Sequence, residues 1–133
     1  MATTEMTKAN FADMIKAGTV FVDWWASWCG PCRAFAPVYE AAAARHPEVT
    51  FAKVDTEAEQ GLAAAFQIRA IPTLMVFRDG VLLHRAAGAM PPAALEELLK
   101  RVAEVDMDDV RKKLTEAEAV AARRPEVREP QRP

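Results

Sequence analysis

The side chains best equipped for chemistry are Cys29 and Cys32, the only two cysteines among 133 residues, set two residues apart in Trp28-Cys29-Gly30-Pro31-Cys32. Thiols at this spacing can serve as a redox couple, as part of a metal site, as a haem anchor or as a static crosslink. A zinc site needs further ligands, and the two histidines, His46 and His84, do not form the closely spaced pair such sites use. Haem attachment calls for a histidine after the second cysteine, where Arg33 stands. Redox work is the leading reading, with a structural disulfide as the alternative. The run from Val20 to Ser27 reads as a buried strand and Arg33 to Arg45 as a helix, so Cys29 falls at or just before a helix N-terminus. Unpaired backbone N–H groups and the helix dipole there favour a thiolate. They can draw a cysteine pKa from about 8.5 towards roughly 7 or below. Cys32 lies in the first turn, within reach of Cys29 if the local geometry permits a small disulfide ring. Pro31 brings a helix-ready φ and lacks an N–H that is not needed there. Gly30 has no side chain to block another backbone.

Two charged residues stand out in the elements that must hold this pair. Asp23 lies six residues before Cys29 in an otherwise apolar strand. It reads either as a strand-end carboxylate turned to water or as a buried one with a raised pKa, set behind Cys32 to take its proton. Lys53 stands among Phe51, Ala52 and Val54 on the next strand. Opposite charges on neighbouring buried strands are explained as partners, although a lysine snorkelling off a strand end would look the same.

In chain order, Ala2 to Met6 is a weak edge strand, and Thr7 is a candidate cap for a helix over Lys8 to Ala17 that Gly18 ends. Thr19 to Trp25 is β-branched and aromatic with apolar residues on both faces, as in a central strand covered by helices. Pro37 falls inside the following helix and predicts a kink. Val49 to Asp55 completes a βαβ unit with parallel strands and a right-handed crossover. Thr56 to Phe66 reads as a helix with Leu62, Ala65 and Phe66 facing in. Thr73 to Arg78 and Val81 to Ala87 flank Asp79-Gly80, a hairpin turn. Pro91-Pro92 opens a helix with the stripe Leu95, Leu98, Leu99 and Val102. The pattern is α/β: a central mixed β-sheet flanked by helices, with a C-terminal extension. Residues 1–104 form the domain and 105–133 the extension, two helical stretches (from Asp106 and from Thr115) and then a disordered, proline-rich end from Pro125.

Asp23-Trp-Trp-Ala-Ser-Trp-Cys-Gly-Pro-Cys, together with Ile71-Pro72-Thr73 downstream, resembles the active-site segments of the thioredoxin family, over roughly residues 7 to 104. The resemblance implies the thioredoxin fold, with Cys29 as attacking nucleophile and Cys32 as resolving thiol. It places an aspartate at the position of Asp23 and makes Ile71–Pro72 a cis bond lying against the cysteines, leaving the Ile71 backbone to bind an extended substrate strand. Ala70 would keep that surface open, Ala87 and Gly88 would line its other side, Gly30 and Pro31 would complete it, and Trp28 would form its apolar shoulder. Trp24 and Trp25 read mainly as core, and His46 and His84 as surface residues.

Net charge is −2 and 51% of residues are hydrophobic, so no field draws nucleic acid or an anionic membrane, and a substantial core is affordable. There is no apolar run near 18 residues and no apolar stretch at the start to direct export. The expected setting is a reducing cytoplasm, where a lone CxxC cycles. The expectation is a monomeric protein-disulfide reductase without a cofactor or metal of its own. Its electrons would come from NADPH through a separate flavoprotein, thioredoxin reductase, and its substrates would be disulfide-containing proteins. Gly-Pro between the cysteines, with no histidine, favours a reductant over an oxidant. The alternative is a binding module, or a reductase dedicated to one partner, docking through the Trp28/Ile71/Gly88 groove.

Overall fold

The computed structural model describes residues 2–123. The chain runs β1 (Thr4–Glu5), α1 (Phe11–Ile15), β2 (Thr19–Trp25), α2 (Gly30–Arg45), β3 (Thr50–Asp55), α3 (Gln60–Ala65), β4 (Thr73–Arg78), β5 (Val81–Ala87), α4 (Pro92–Glu104) and α5 (Met107–Arg123). It divides into two compact units, Met1–Lys100 and Arg101–Pro133.

In the first unit the strands form one mixed sheet in the order β1-β3-β2-β4-β5. β2 runs parallel to β3 and antiparallel to β4, and the β4–β5 pair is the antiparallel hairpin. Asp79 and Gly80 turn that hairpin with φ of 51° and 81°. This is the left-handed pair that a two-residue turn needs to match strand twist.

β2 is buried on both faces, as its composition requires. Val20, Val22 and Trp24 join Val54, Met75 and Phe77 in a core that Phe11, Met14, Ile15, Leu62 and Phe66 cover. Phe11, Trp24 and Phe77 each bring a ring against Phe66. On the opposite face Phe21, Phe51, Tyr39 and Phe35 stack in series, with centroids 5.3, 5.1 and 5.7 Å apart. Alternation along β2 therefore directs Asp23 and Trp25 to the α2 side.

Several boundaries differ from the sequence expectation, at α1 and α3 through a side chain competing for backbone partners. Thr7 caps no helix. The Asn10 carboxamide accepts from the Thr7 N–H at 2.7 Å and donates to the Glu5 carbonyl at 3.1 Å, tightening a turn that delays α1. Asp55 likewise accepts from the Glu57 and Ala58 N–H groups, so α3 starts four residues late and buries Ala63 in place of Ala65. Helix α2 starts at Gly30, three residues early, and passes through Pro37 as one element.

In the second unit α5 is one helix where two were expected, because the Thr115 hydroxyl donates back to the Arg111 carbonyl at 3.0 Å and caps nothing. Asp106 caps α5 through the N–H groups of Asp108 and Asp109. The disorder expected from Pro125 onwards lies outside the described residues.

Candidate active site

The strand-to-helix corner after β2 carries the cysteines. Cys29 is the N-cap of α2 with extended backbone, φ −84° and ψ 112°, and its Sγ accepts from the Cys32 N–H at 3.2 Å. The sulfur thus occupies the place an Asp or Ser oxygen usually takes at a helix start, and satisfies one of the free N–H groups there. Cys29 and Cys32 are bonded to each other with Cα atoms 5.2 Å apart. Both are buried, in a small cluster with Ala26 against which Trp25 and Ile71 pack.

The Ile71–Pro72 peptide is cis. Its Ile71 carbonyl oxygen lies 3.7 Å from Cys29 Sγ. The Pro72 carbonyl accepts from the Gly88 N–H at 2.8 Å, and the Thr73 hydroxyl donates to the Ala70 carbonyl. Residues 70–72, the end of β5 and the cysteine corner are thereby connected. Around them Trp28, Gly30, Pro31, Ala70, Ala87 and Gly88 are exposed, Ile71 is half-buried and Pro72 is buried. Trp28 is 65% exposed, and its indole N–H donates to Glu57 at 2.9 Å. A large aromatic left that open, with its one polar atom tethered, offers an apolar face fixed in orientation. Arg33, just past Cys32, donates to the Ser27 carbonyl at 3.1 Å.

Beneath the corner Asp23 is 1% exposed, and neither carboxylate oxygen has a hydrogen-bond partner among the described residues. Burial raises its pKa from 3.8 to about 7, while the Lys53 charge pulls the other way. Asp23 and Lys53 are register neighbours on β2 and β3, as expected of partners. They are not a hydrogen-bonded pair, however: the Lys53 ammonium lies over the Trp25 ring, 4.7 Å from its centroid. Trp24 is fully buried, whereas Trp25, read as core, is half-buried and carries that cation.

Sequence reading also missed the tie at the far end of α2. His46, taken for a plain surface residue, caps α2 and contacts Glu96 at 2.7 Å and Glu48 at 3.2 Å. His84 is half-buried on β5. The Glu57 tether and the His46–Glu96 contact join residues far apart in the chain and carry no local signal. Trp25 did carry one, since it alternates with Asp23 onto the same face.

Among the described residues no three His, Cys, Asp or Glu side chains gather as metal ligands. No described helix is long and apolar enough to cross a membrane. A five-stranded mixed sheet flanked by helices, with a disulfide-bonded cysteine pair just past the end of a central strand and a cis-proline loop beside it, defines a thiol–disulfide exchanger. The family profile described as Thioredoxin matches residues 2–101. A Streptomyces coelicolor protein assigned as thioredoxin 2 is 47% identical over 121 residues, covering 90% of each chain. The thioredoxin of Staphylococcus saprophyticus is 38% identical, covering 76% of this chain and 98% of its own. That of Chlamydia trachomatis is 40% identical, covering 72% and 94%. One solved chain comes from work on the thiol resolving mechanism in yeast mitochondrial 1-Cys peroxiredoxin via glutathione/thioredoxin systems. It superposes with a TM-score of 0.69 at 31% identity, covering 74% of this chain and 94% of that one. The chain belongs to the thioredoxin family. It is a thiol–disulfide oxidoreductase with the protein-disulfide reductase activity of that family, working through Cys29 and Cys32.

Proposed function

We propose the following division of labour within that activity. Cys29 attacks as thiolate. It forms a bond to one sulfur of the substrate disulfide and expels the other, giving a mixed disulfide. Cys32 then loses its proton to the Asp23 carboxylate and attacks Cys29 Sγ. The mixed disulfide breaks, the second substrate sulfur leaves as thiolate, and the Cys29–Cys32 bond closes. Two electrons pass from the pair to the substrate, whose thiolates take up protons. The observation that carries this assignment is the N-cap position of Cys29, which gives its sulfur the helix N-terminus, together with the partnerless buried carboxyl of Asp23. A carboxyl near pKa 7 is suited to accept a proton at neutral pH and return it.

Trp28, Gly30, Pro31, Ala70, Ile71, Pro72, Ala87 and Gly88 form the docking surface in this reading, with the Ile71 backbone presented to an extended segment of a protein substrate. Lys53 acts on Asp23 through charge. Re-reduction by a separate NADPH-dependent flavoprotein, thioredoxin reductase, and residence in a reducing cytoplasm fit a lone cycling dithiol. Residues 1–104 are the working domain. The extension 105–133 is dispensable for exchange, since Leu114 and Val120 on α5 are 44% and 59% exposed. Truncation after Glu104 leaves reduction of a small generic disulfide within about twofold if so.

Cys32→Ser tests the assignment. It should accumulate a mixed disulfide through Cys29 with a disulfide-containing protein, resolved by non-reducing electrophoresis and peptide mass spectrometry. Capture by Cys29→Ser through Cys32 instead would reverse the two roles.

A further inference from the structure

The row of side chains beneath the cysteine corner holds an arrangement that these roles do not explain. Lys53 is the register partner of Asp23 on one side and of Glu5 on the other, so three charged residues lie in a row across β2, β3 and β1. Successive side chains alternate between faces, which places Trp25 and Asp55 one step along on the same side. A cavity of about 590 Å³ opens there, with Trp25, Lys53, Glu5, Asp55, Glu40 and Pro37 in its wall. Glu5 and Asp23 stand on either side of Lys53 in the row, Glu40 and Asp55 share the cavity wall with it, and a half-buried amine on a four-carbon stem can turn among them.

Two of the three carboxylates in the wall are already engaged. Glu40 accepts from the N–H of Ala2 at 2.8 Å and of Thr3 at 3.3 Å, and from the Thr3 hydroxyl at 2.7 Å. Asp55 accepts from Glu57 and Ala58 N–H groups at 2.9 and 3.4 Å. Glu5 is exposed at the outer side of the row. What the ammonium rests on is the Trp25 ring, 4.7 Å from its centroid. An indole face attracts a cation without neutralising it, so the positive charge stays available to Asp23. A carboxylate partner would not leave it so.

We infer that Trp25 is a positioning residue: its ring holds the Lys53 ammonium on the inner side of the row, away from Glu5, and thereby fixes how strongly Lys53 favours the ionised form of Asp23. The inference rests on the proposed proton-acceptor role of Asp23 for its catalytic meaning, but not for its physical content. The charged and titratable groups around the row are Asp23 on β2, Glu5 on β1, Asp55 beside Lys53 on β3, and Glu40 and Tyr39 on α2. Tyr39 donates its hydroxyl proton to the Ala52 carbonyl at 2.8 Å, and burial together with the Asp23 charge holds it in that neutral form. Of these groups, Glu40 also feels the Lys53 charge, and Glu5 is the exposed carboxylate next to Lys53 in the row.

The test reads the Asp23 carboxyl by carbon-13 NMR as pH is varied, in the full-length protein. Trp25→Leu removes the ring at similar apolar character. It should raise the Asp23 titration midpoint by about half a pH unit, the size expected of a partly exposed cation–ring contact. Trp25→Phe, which keeps a ring face, should restore most of the wild-type midpoint. Lys53→Met should raise the midpoint by itself, and adding Trp25→Leu to it should change nothing more. A midpoint unmoved by Trp25→Leu overturns the inference. So does an equal shift in the Lys53→Met background, because the ring would then act on Asp23 by burial and not through Lys53. The wild type supplies an arm that needs no variant to fold: the Lys53 side-chain protons nearest the ammonium should be shifted upfield by the ring, and ordinary shifts would refute the contact. The pH–rate profile of mixed-disulfide resolution separates the two readings. A carboxyl midpoint that moves while the rate profile stays put refutes the proton-acceptor role and leaves the hold of Trp25 on Lys53 standing.

Discussion

The two ends of α2 are handled in opposite ways. At the N-terminal end the cap is a sulfur, the surroundings are apolar, and the nearby carboxyl of Asp23 is sealed in without a hydrogen bond. At the C-terminal end the polar side chains have company. The His46 N–H donates to the Ala42 carbonyl at 3.0 Å, its ring bridges Glu48 and Glu96, and Arg45 reaches Glu96 at 2.6 Å. Cations near a helix C-terminus also complement its dipole. A helix can afford one end whose polar groups are left short of partners when the other is fastened. The end left short of partners is the one that carries the cysteine pair.

The largest effect expected is at the cysteine end. Cys29→Ser should abolish disulfide reduction, measured on any reducible protein substrate, because no other thiolate sits at the helix start. Residual turnover above the uncatalysed rate would break the contrast between the ends at its root.

Asp23→Asn should slow turnover, most visibly in the resolving step, and should also change the pH dependence of stability. In the wild type the folded carboxyl keeps its proton up to about pH 7 while the unfolded one loses it near 3.8. The folded state therefore loses relative stability as pH rises between those values. Against wild type, the asparagine variant should gain roughly 2.5 kcal/mol in denaturant melts on going from pH 5 to pH 8. Parallel stability curves would mean that Asp23 titrates much as an exposed aspartate does.

The smallest effect belongs to the fastened end. The hydrogen bond to Glu96, with a lesser one to Glu48, raises the His46 pKa above 6.5. These ties stabilise the fold fully below that pH and are lost as pH rises through the folded value. Glu96 is 38% exposed at its side chain, so solvent screens the pair and Glu96→Gln should cost less than about 1 kcal/mol, at acidic pH more than at alkaline. Disulfide-reduction kinetics should not respond. A kinetic effect as large as that of Asp23→Asn would show that the two ends are coupled along the helix.

Most of this contrast was legible at one end only. The cysteine corner announces itself because spacing, Pro31 and the flanking strand are local, and because the hairpin Asp79-Gly80 and the apolar β2 fix the sheet around it. The Trp25 contact was half-legible: alternation places the ring beside Asp23, but nothing local reports that the Lys53 ammonium lies over it. The His46–Glu96 tie spans 50 residues and depends on how α4 comes to lie beside α2. No periodicity reports that. The late starts of α1 and α3 come from Asn10 and Asp55, polar side chains that serve turns as readily as caps.

The sheet has two open margins, and they are unlike. β1 contributes two residues, after which Met6 donates to the Lys53 carbonyl at 2.8 Å and buries its side chain. A margin that short gives an incoming chain too few free backbone groups to zip along. β5 is seven residues long, but its pairing with β4 slips between Val76 and Phe77. Such a bulge twists a strand away from the flat line that a foreign strand would need. In a thiol–disulfide oxidoreductase, which must meet other chains at its cysteines, both long sides of the sheet thus discourage the permanent strand exchange that leads to clumping.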